Sequence, residues 1–373
     1  MTTIDIRPAH RFASGETLAN RDLPLEVFAE GDALFDAMLH DINLAQRSVR
    51  LESYILSSDV VGRAFVEALC RCAARGVNVW LRADHVGSWL ELKRADIARM
   101  RAAGIRFEWS RAWSLRSPFA LNRRNHRKLL VVDEAAAFVG GFNIHAPSSQ
   151  RAVGAYRWRD THTRFLGDVA ATAAVVFDRY RDVQPDWLPP TTGSRWLLPN
   201  RSKACRHRLR CVLHDALRAA KSRVWATTPY FVPDSLTQRL LCDAALRGAD
   251  VRLLVPGKSD VPLAQWAARA AYSRLLSRGV RIYEYAPRVL HAKTMVVDAG
   301  WATVGTANLD YRSLFVNDEL NLIDEGGELN SVLAQIFLDD LREAEEVLAM
   351  PWSQRSWPRR VAEAVGWWTR RWL

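Results

Sequence analysis

The sequence predicts an α/β fold made of two similar halves. Three observations carry this: strand-like and helix-like segments alternate, the alternation occurs twice, and polar residues recur at one fixed offset. The first copy opens near residue 45, where AQRSVRLESYILSSD leads into FVEALCRCAARGVNVWLRAD. The second opens near residue 220, where AKSRVWATTPYFVPD leads into LTQRLLCDAALRGADVRLLVP. Each reads as a strand (VRLESY, VWATTPY), an amphipathic helix ending in Arg-Gly, and a buried apolar strand (VNVWLRA, VRLLVP). A further strand follows a glycine in each copy, GIRFEW at 104–109 and GVRIYEY at 279–285. Strands separated by helices predict a largely parallel sheet.

Further along, NHRKLLVVDEAAAFVGGFN (125–143) matches LHAKTMVVDAGWATVGTAN (290–308). An offset of 165 residues relates His126 to His291, Lys128 to Lys293, Asp133 to Asp298 and Asn143 to Asn308. The chain therefore divides into a first repeat at 1–190, a second at 191–350 and a tail at 351–373. The Pro-rich DWLPPTTGS (186–194) serves as linker.

Composition narrows the function. With 373 residues, 49% hydrophobic and 25% charged, the chain is globular rather than disordered or collagen-like. Apolar runs such as VAATAAVVF (169–177) are too short to span a bilayer, and MTTIDIRPAHRF lacks the order of a secretory signal. An integral membrane protein is not expected. The net charge of +11 favours an anionic partner: nucleic acid, an acidic membrane surface or a phosphorylated substrate. Fifteen tryptophans tilt that choice toward a lipid interface. The five cysteines (Cys70, Cys72, Cys205, Cys211, Cys242) include no Cys-x-x-Cys pair and read as reduced thiols of a cytoplasmic protein.

In each copy His-x-Lys opens an apolar strand, and the alternation of strand side chains puts His and Lys on one face. Asp133 and Asp298 close these strands and start hairpin turns; Asn143 and Asn308 lie just beyond the returning strands. One ribbon per half thus presents His, Lys and Asn at one end. Two such sets suit phosphoryl transfer without metal. One imidazole attacks phosphorus, the other protonates the leaving oxygen, and Lys128, Lys293, Asn143 and Asn308 hold the non-bridging oxygens. A metal site is the rival use of histidine, but lysine repels a cation and no H-E-x-x-H or Cys cluster accompanies the motif. No metal or cofactor is expected. One His-x-Lys alone reads equally well as a surface strand; the matched second copy argues against that. A nucleophilic histidine works better with a carboxylate on its other nitrogen. Asp160 in WRDTH and Glu319 in FVNDELN follow the two motifs as candidates.

These segments resemble the paired H-x-K-x4-D motifs of the phospholipase D superfamily, over most of residues 25–345. More narrowly, NRRNHRKLLVVD, WRDTH (158–162), TPYFVP (228–233) and GTANLDYRSLFVNDELN (305–321) resemble bacterial cardiolipin synthases. The resemblance implies a bilobed body of two α/β halves, each a mixed sheet flanked by helices, with one active site at the seam. It implies a phosphohistidine on His126, an acid/base role for His291, and support from Asp160 and Glu319. The motif aspartates Asp133 and Asp298, though part of the catalytic signature, are implied to be structural. The implied reaction moves a phosphatidyl group between two phosphatidylglycerols of an anionic membrane, peripherally, at the cytoplasmic face of the bacterial inner membrane. Two departures stand out. GGFNIHAP replaces the expected Gly-Gly-Ile-Asn-Ile and Gly/Asp-rich turn, so His145 is read as incidental. The amino-terminal membrane helices of many cardiolipin synthases are absent, which resembles a shorter subgroup.

The tail PWSQRSWPRRVAEAVGWWTRRWL, as a helix from Pro358, puts Trp357, Val361, Ala364, Val365, Trp368 and Trp372 on one stripe. Arg359 and Arg370 fall opposite, and Arg360 and Arg371 flank it, the pattern of an interfacial helix on anionic lipid. Docking on the protein's own body would instead bury that stripe. The basic-aromatic WSRAWSLRSPFALNRRNHRK (109–128) is expected to line the site's mouth, with Arg111, Arg116, Arg123 and Arg124 near an anionic head group. Rival functions are hydrolysis by a phospholipase D, a nucleic-acid phosphodiesterase of the same superfamily, and a binding protein with dead sites. Complete motifs argue against the last; WRDTH, GTANLDYRS and the tail argue against the nuclease.

Overall fold

The computed structural model describes residues 25–111, 122–191, 193–258, 262–353, and positions 357, 361, 363, 364, 366 and 368. Seven strands of the first half form one sheet: β1 (Glu26–Phe28), β2 (Ser48–Ser53), β3 (Asn78–Asp84), β4 (Arg106–Ser110), β5 (Leu129–Val132), β6 (Ala136–Gly140) and β7 (His162–Leu166). Eight strands of the second half form the other: β8 (Arg195–Pro199), β9 (Arg223–Thr227), β10 (Asp250–Pro256), β11 (Arg281–Tyr285), β12 (Thr294–Val297), β13 (Trp301–Gly305), β14 (Leu320–Asp324) and β15 (Ala344–Glu346). The orders are β1-β7-β6-β5-β2-β3-β4 and β8-β14-β13-β12-β9-β10-β11-β15. The second repeats the first strand for strand and adds β15 at its edge.

The sheets are mixed, as the resemblance implies, and not largely parallel as the strand–helix alternation alone predicts. Only β2-β3-β4 and β9-β10-β11 pair in parallel; every other pairing is antiparallel. The reason is connection length. Helices Val60–Ala74 and Ser235–Leu246 give the crossovers that parallel neighbours need, whereas β5 and β6 are joined by residues 133–135 alone, which can only reverse the chain. Both crossover helices are read directly from sequence. Asp59 and Asp234 cap their first-turn N–H groups, and Gly76 and Gly248 follow their last turns with φ of 87° and 95°, where a side chain would be strained.

The two sheets share a core. Leu129, Val131, Val139 and Phe165 from the first join Leu197, Trp225, Val304 and Leu322 from the second, with Phe177 and Phe337 from helices Asp168–Asp178 and Glu328–Leu341. Burial of this shared apolar surface holds the halves in a fixed relation. Register then sets the site. Leu129 pairs with Glu52 and Thr294 with Thr227, so the residues before β5 and β12 emerge beside the carboxyl ends of β2 and β9.

Asp133 and Asp298 lie at the opposite ends of those strands, about 16 Å from Lys128 and Lys293 along extended chain. Both take left-handed φ, 53° and 50°. The Asp133 carboxylate accepts the N–H groups of Gln46, Arg47 and Ser48 at 2.9, 2.7 and 2.8 Å. Asp298 does the same for Lys221, Ser222 and Arg223. These aspartates fasten the entry of β2 and β9 and stand apart from the histidines with which the motif groups them. Replacing Asp133 or Asp298 by Ala is expected to cost about 2 kcal/mol or more of stability in urea unfolding, because three N–H groups lose a charged acceptor. Unchanged stability in both variants would contradict this role.

Candidate active site

The stretches before β5 and β12 are extended, so alternate side chains point the same way. His126 and Lys128 face the seam; Arg127 between them turns into the body, with its Nη2 3.2 Å from the buried Glu52. At the second copy the intervening residue is Ala292, which joins the shared core.

Each histidine is tied to the other half. The His126 N–H donates to the carbonyl of Asp318 at 2.9 Å, and the His291 N–H donates to that of Arg159 at 2.7 Å. The side chains follow. His126 Nδ1 lies 3.0 Å from Glu319 Oε2, and His291 Nδ1 lies 2.5 Å from Asp160 Oδ2. Each imidazole is therefore oriented by the carboxylate that follows the other half's motif. The carboxylates place a proton on Nδ1 and leave the Nε2 lone pair free. The ring centroids are 6.5 Å apart with planes at 74°, near enough to flank one phosphorus.

Around the rings sit the remaining predicted groups, all buried. Lys128 Nζ donates to the His126 carbonyl at 2.9 Å, and Lys293 Nζ donates to the His291 carbonyl. Asn143 Oδ1 accepts the Ile55 N–H at 3.2 Å, and Asn308 Nδ2 donates to Asp310 at 3.2 Å, with Asn308 Oδ1 left unpartnered. Glu319 is held on its second oxygen by the Ser313 hydroxyl at 2.9 Å. The double glycine of GGFN has a steric reason: a Cβ on Gly141 would lie 2.0 Å from the Asp160 carboxylate.

Two aromatic neighbours were not singled out by sequence. Tyr54, at the end of β2, meets the His126 ring edge-on at 4.9 Å, and Trp158 lies 5.2 Å from His291. The signal was positional: Trp158 stands two residues before Asp160, and Tyr54 follows β2 directly. His145 stacks edge-on against Trp158 at 5.0 Å, and burial pulls it down to about 4. It stands behind that ring, with its Nε2 unpartnered.

Two described arginines of the basic segment have an acidic partner in the seam. Arg111 and Arg123 turn to the buried Asp318, at 2.6 and 3.6 Å, together with Arg201 and Arg206 from the second half and the Tyr180 hydroxyl. Both were expected at the mouth; the buried Asp318 carboxylate takes part of their charge, with Arg111 largely buried on it and Arg123 still 41% exposed. Arg116 lies outside the described residues, as do Arg359, Arg360, Val365, Arg370, Arg371 and Trp372 of the tail. Among the described residues no group of three or more His, Cys, Asp or Glu side chains could hold a metal ion.

Burial and the Lys128 ammonium pull His126 below the ordinary imidazole range, against Glu319. Burial and both lysines push His291 well below it. Burial would raise Glu319, but His126, Thr306 and Lys128 outweigh it and keep the carboxyl ionised. Burial and the neighbouring Lys293 bring Lys128 down to about 7. Two buried ammoniums side by side are a site waiting for an anion.

A duplicated α/β fold that brings one His-Lys-Asn set from each half to a single seam defines a phospholipase D-type protein. Residues 38–154 and 213–341 match the family described as "Cardiolipin synthase, PLD-like domain". The cardiolipin synthase of Geobacillus thermodenitrificans (strain NG80-2) is 34% identical over 355 residues, covering 91% of this chain and 70% of that protein. That of Clostridium perfringens (strain SM101 / Type A) is 32% identical over 366 residues, covering 91% and 75%. Among solved structures, phosphatidylserine synthase from Haemophilus influenzae Rd KW20 shares the fold with a TM-score of 0.74 at 12% identity, covering 94% of this chain and 96% of that one. Polyphosphate kinase from Porphyromonas gingivalis does so with a TM-score of 0.62 at 16% identity, covering 88% and 48%. The chain belongs to the cardiolipin synthase family of PLD-like proteins.

Because Lys128 must be protonated to hold an anion, binding should weaken as pH rises through about 7. Tungstate, whose charge is constant between pH 6 and 9, is expected by calorimetry to lose up to about tenfold in affinity per pH unit above that point. Lys128→Met should flatten the slope; an unaltered slope in that variant would refute the assignment.

Proposed function

We propose that the protein is a phosphatidyltransferase that makes cardiolipin from two phosphatidylglycerols through a phosphohistidine. The observation that carries this reading is the pair of buried imidazoles, 6.5 Å apart, each with Nδ1 held by a carboxylate of the other half.

The steps balance as follows. Nε2 of His126 attacks phosphorus of the donor lipid, the P–O bond to glycerol breaks, and the leaving oxygen takes a proton from His291. The head-group hydroxyl of the acceptor then attacks the phosphohistidine. His291 takes its proton, the N–P bond breaks, and His126 is regenerated. Lys128, Lys293, Asn143 and Asn308 hold the equatorial oxygens, a role that lysines fill without a metal. A bound phosphodiester offsets the lysine charge that depresses His291, which lets that ring hold the proton it must give.

Assigning His126 as nucleophile has its own support. Glu319 is kept ionised behind His126, where it stabilises the positive charge of a phosphohistidine. Burial raises Asp160 behind His291, and a carboxyl pushed toward its neutral form stabilises an imidazolium less, which makes that ring the readier proton donor.

Incubation with labelled phosphatidylglycerol in EDTA should give cardiolipin and glycerol, reduced roughly a thousandfold or more in His126→Ala. Acid quench should trap the phosphatidyl label on residue 126. Label on His291 reverses the roles, phosphatidic acid as main product makes the protein a hydrolase, and dependence on added metal removes the metal-free reaction.

We infer further that the protein works as a peripheral protein at the cytoplasmic face of the inner membrane. No helix among the described residues is long and apolar enough to cross a membrane. The described tail positions support surface binding. Trp357 and Trp368 are 75% and 82% exposed and Val361 and Ala364 are also exposed, while Glu363 and Gly366 are buried. A Cβ on Gly366 would meet the Ala267 backbone nitrogen at 2.5 Å, so Gly366 lies directly against helix Pro262–Leu276, while Trp357 and Trp368 remain on the outside. Exposed Val86, Trp89 and Leu90 follow β3, and Leu263 and Trp266 follow β10, at the end of each sheet where the histidines lie. Apolar side chains around a basic site opening suit an anionic bilayer.

A variant carrying Trp89→Ser, Leu90→Ser, Trp357→Ser and Trp368→Ser is expected to lose at least about tenfold in sedimentation with phosphatidylglycerol vesicles. Turnover of a monomeric short-chain phosphatidylglycerol should survive. Undiminished vesicle binding would remove this rim as the membrane contact.

A further inference from the structure

Transfer between two phosphatidylglycerols sets an electrostatic problem that the His-Lys-Asn sets solve only once. The donor phosphodiester sits between the imidazoles. The acceptor carries a second phosphodiester one glycerol away from its attacking hydroxyl, and this second anion must enter a buried site already holding the first.

Among the described residues, several arginines near the seam already serve carboxylates. Arg111, Arg123, Arg201 and Arg206 surround Asp318, and Arg82 and Arg127 serve Glu52. Arg124 stands outside both clusters. Its carbonyl accepts the Asp318 N–H at 2.8 Å, which fixes the residue at the seam two positions before His126. Its Nη1 is buried and has no hydrogen-bond partner. Arg312 approaches from the other half, on the short helix Tyr311–Phe315. Its guanidinium donates to the side-chain oxygens of Asn122 at 3.0 Å and Asn317 at 3.3 Å, both neutral acceptors.

The two guanidiniums feel each other and the site. Burial and the Arg124 charge pull Arg312 down, against Asp310, Tyr54 and Glu319. Burial and Asp84 raise the Tyr54 hydroxyl, and Arg124 and Arg312 oppose that rise. Asp84 is the carboxylate facing Arg124, and its oxygens accept the backbone N–H groups of Val86, Gly87 and Asn125. Tyr54, whose ring meets His126, therefore has the arginine pair among its charged neighbours. The two guanidiniums act on each other beside the site, and guanidiniums bind a phosphodiester by paired hydrogen bonds.

We propose that Arg124 and Arg312 form the subsite for the phosphodiester of the acceptor lipid, so that they select an anionic glycerophospholipid as acceptor. This rests on the phosphatidyl-transfer reading and goes beyond it in naming what distinguishes acceptor from donor. The pair contributes little to formation of the phosphohistidine and much to its capture by a second lipid. It also favours transfer over hydrolysis, since a bound acceptor head group displaces water from the intermediate.

The test compares two acceptors on the same enzyme. Labelled glycerol exchanging into phosphatidylglycerol uses a neutral acceptor; cardiolipin formation uses an anionic one. Arg124→Gln and Arg312→Gln are each expected to lower kcat/KM for cardiolipin formation at least tenfold more than they lower glycerol exchange, with a raised KM for acceptor lipid. Arg124→Lys, which keeps the charge, should recover part of the loss. Equal loss in both reactions overturns the proposal, because the arginines would then serve the donor or the fold. Unchanged cardiolipin formation overturns it as well. Wild-type protein that exchanges glycerol but makes no cardiolipin sinks the acceptor subsite and leaves phosphohistidine transfer standing; wild-type protein that does neither sinks the transfer reading itself.

Discussion

The arrangement depends on one reciprocal exchange: each half supplies the carboxylate that orients the other half's histidine. Glu319 reaches back to His126 and Asp160 reaches forward to His291, and each contact is backed by a backbone hydrogen bond from the histidine's own N–H. Neither half supplies both members of either of these two pairs. The shared core beneath the seam is therefore a condition of the chemistry as well as of the fold, since a sub-ångström slip between the sheets would break both pairs together. Local choices follow from it. Gly141 leaves room for the Asp160 carboxylate, and the Asn200 side chain accepts the Glu319 N–H at 2.5 Å to fix the strand that carries it.

Much of this was legible in the sequence. The constant offset announced the duplication, and strand alternation put His126 with Lys128 and His291 with Lys293 on one face. The acids that follow the two motifs, Asp160 and Glu319, were the candidates for supporting them, and the resemblance pointed to the same positions. What these patterns could not give was which acid serves which ring, because order along one half carries no information about contacts to the other. Alternation alone misses the mixed sheets that the family resemblance implied: the strand–helix–strand signal covers β2 to β4 and β9 to β11, while the short β5–β6 and β12–β13 hairpins reverse direction. Asp133 and Asp298 look catalytic by proximity in sequence and are not near the rings, because five residues of strand are long.

Charge was the least transparent feature. A net +11 suggested a basic surface, yet many arginines act inside. Arg82 and Arg127, both fully buried, sit against Glu52, and four arginines converge on Asp318. These clusters cross the seam or underlie it, so arginine here is a tie between layers as often as it is a lure for anions. Composition counts charges without locating their partners. Only after those partners are assigned does Arg124 stand out, which a reading of the basic segment as one continuous mouth would have hidden.

A duplicated site also has to escape its own symmetry. Two equivalent histidines would compete for the same role, whereas displacement at phosphorus needs one base that attacks and one acid that yields a proton. The differences between the halves lie in what surrounds the rings. His126 meets a glutamate that is also braced by Ser313, with the Thr306 carbonyl 3.2 Å from the same nitrogen, and the phenol of Tyr54 lies along its edge. His291 meets a shorter aspartate whose proton affinity burial raises, with Lys293 2.9 Å from its Nδ1 and an indole beside it. The backbone repeat brings two like rings within 6.5 Å of each other, and in the proposed reaction these unlike neighbours give them separate tasks.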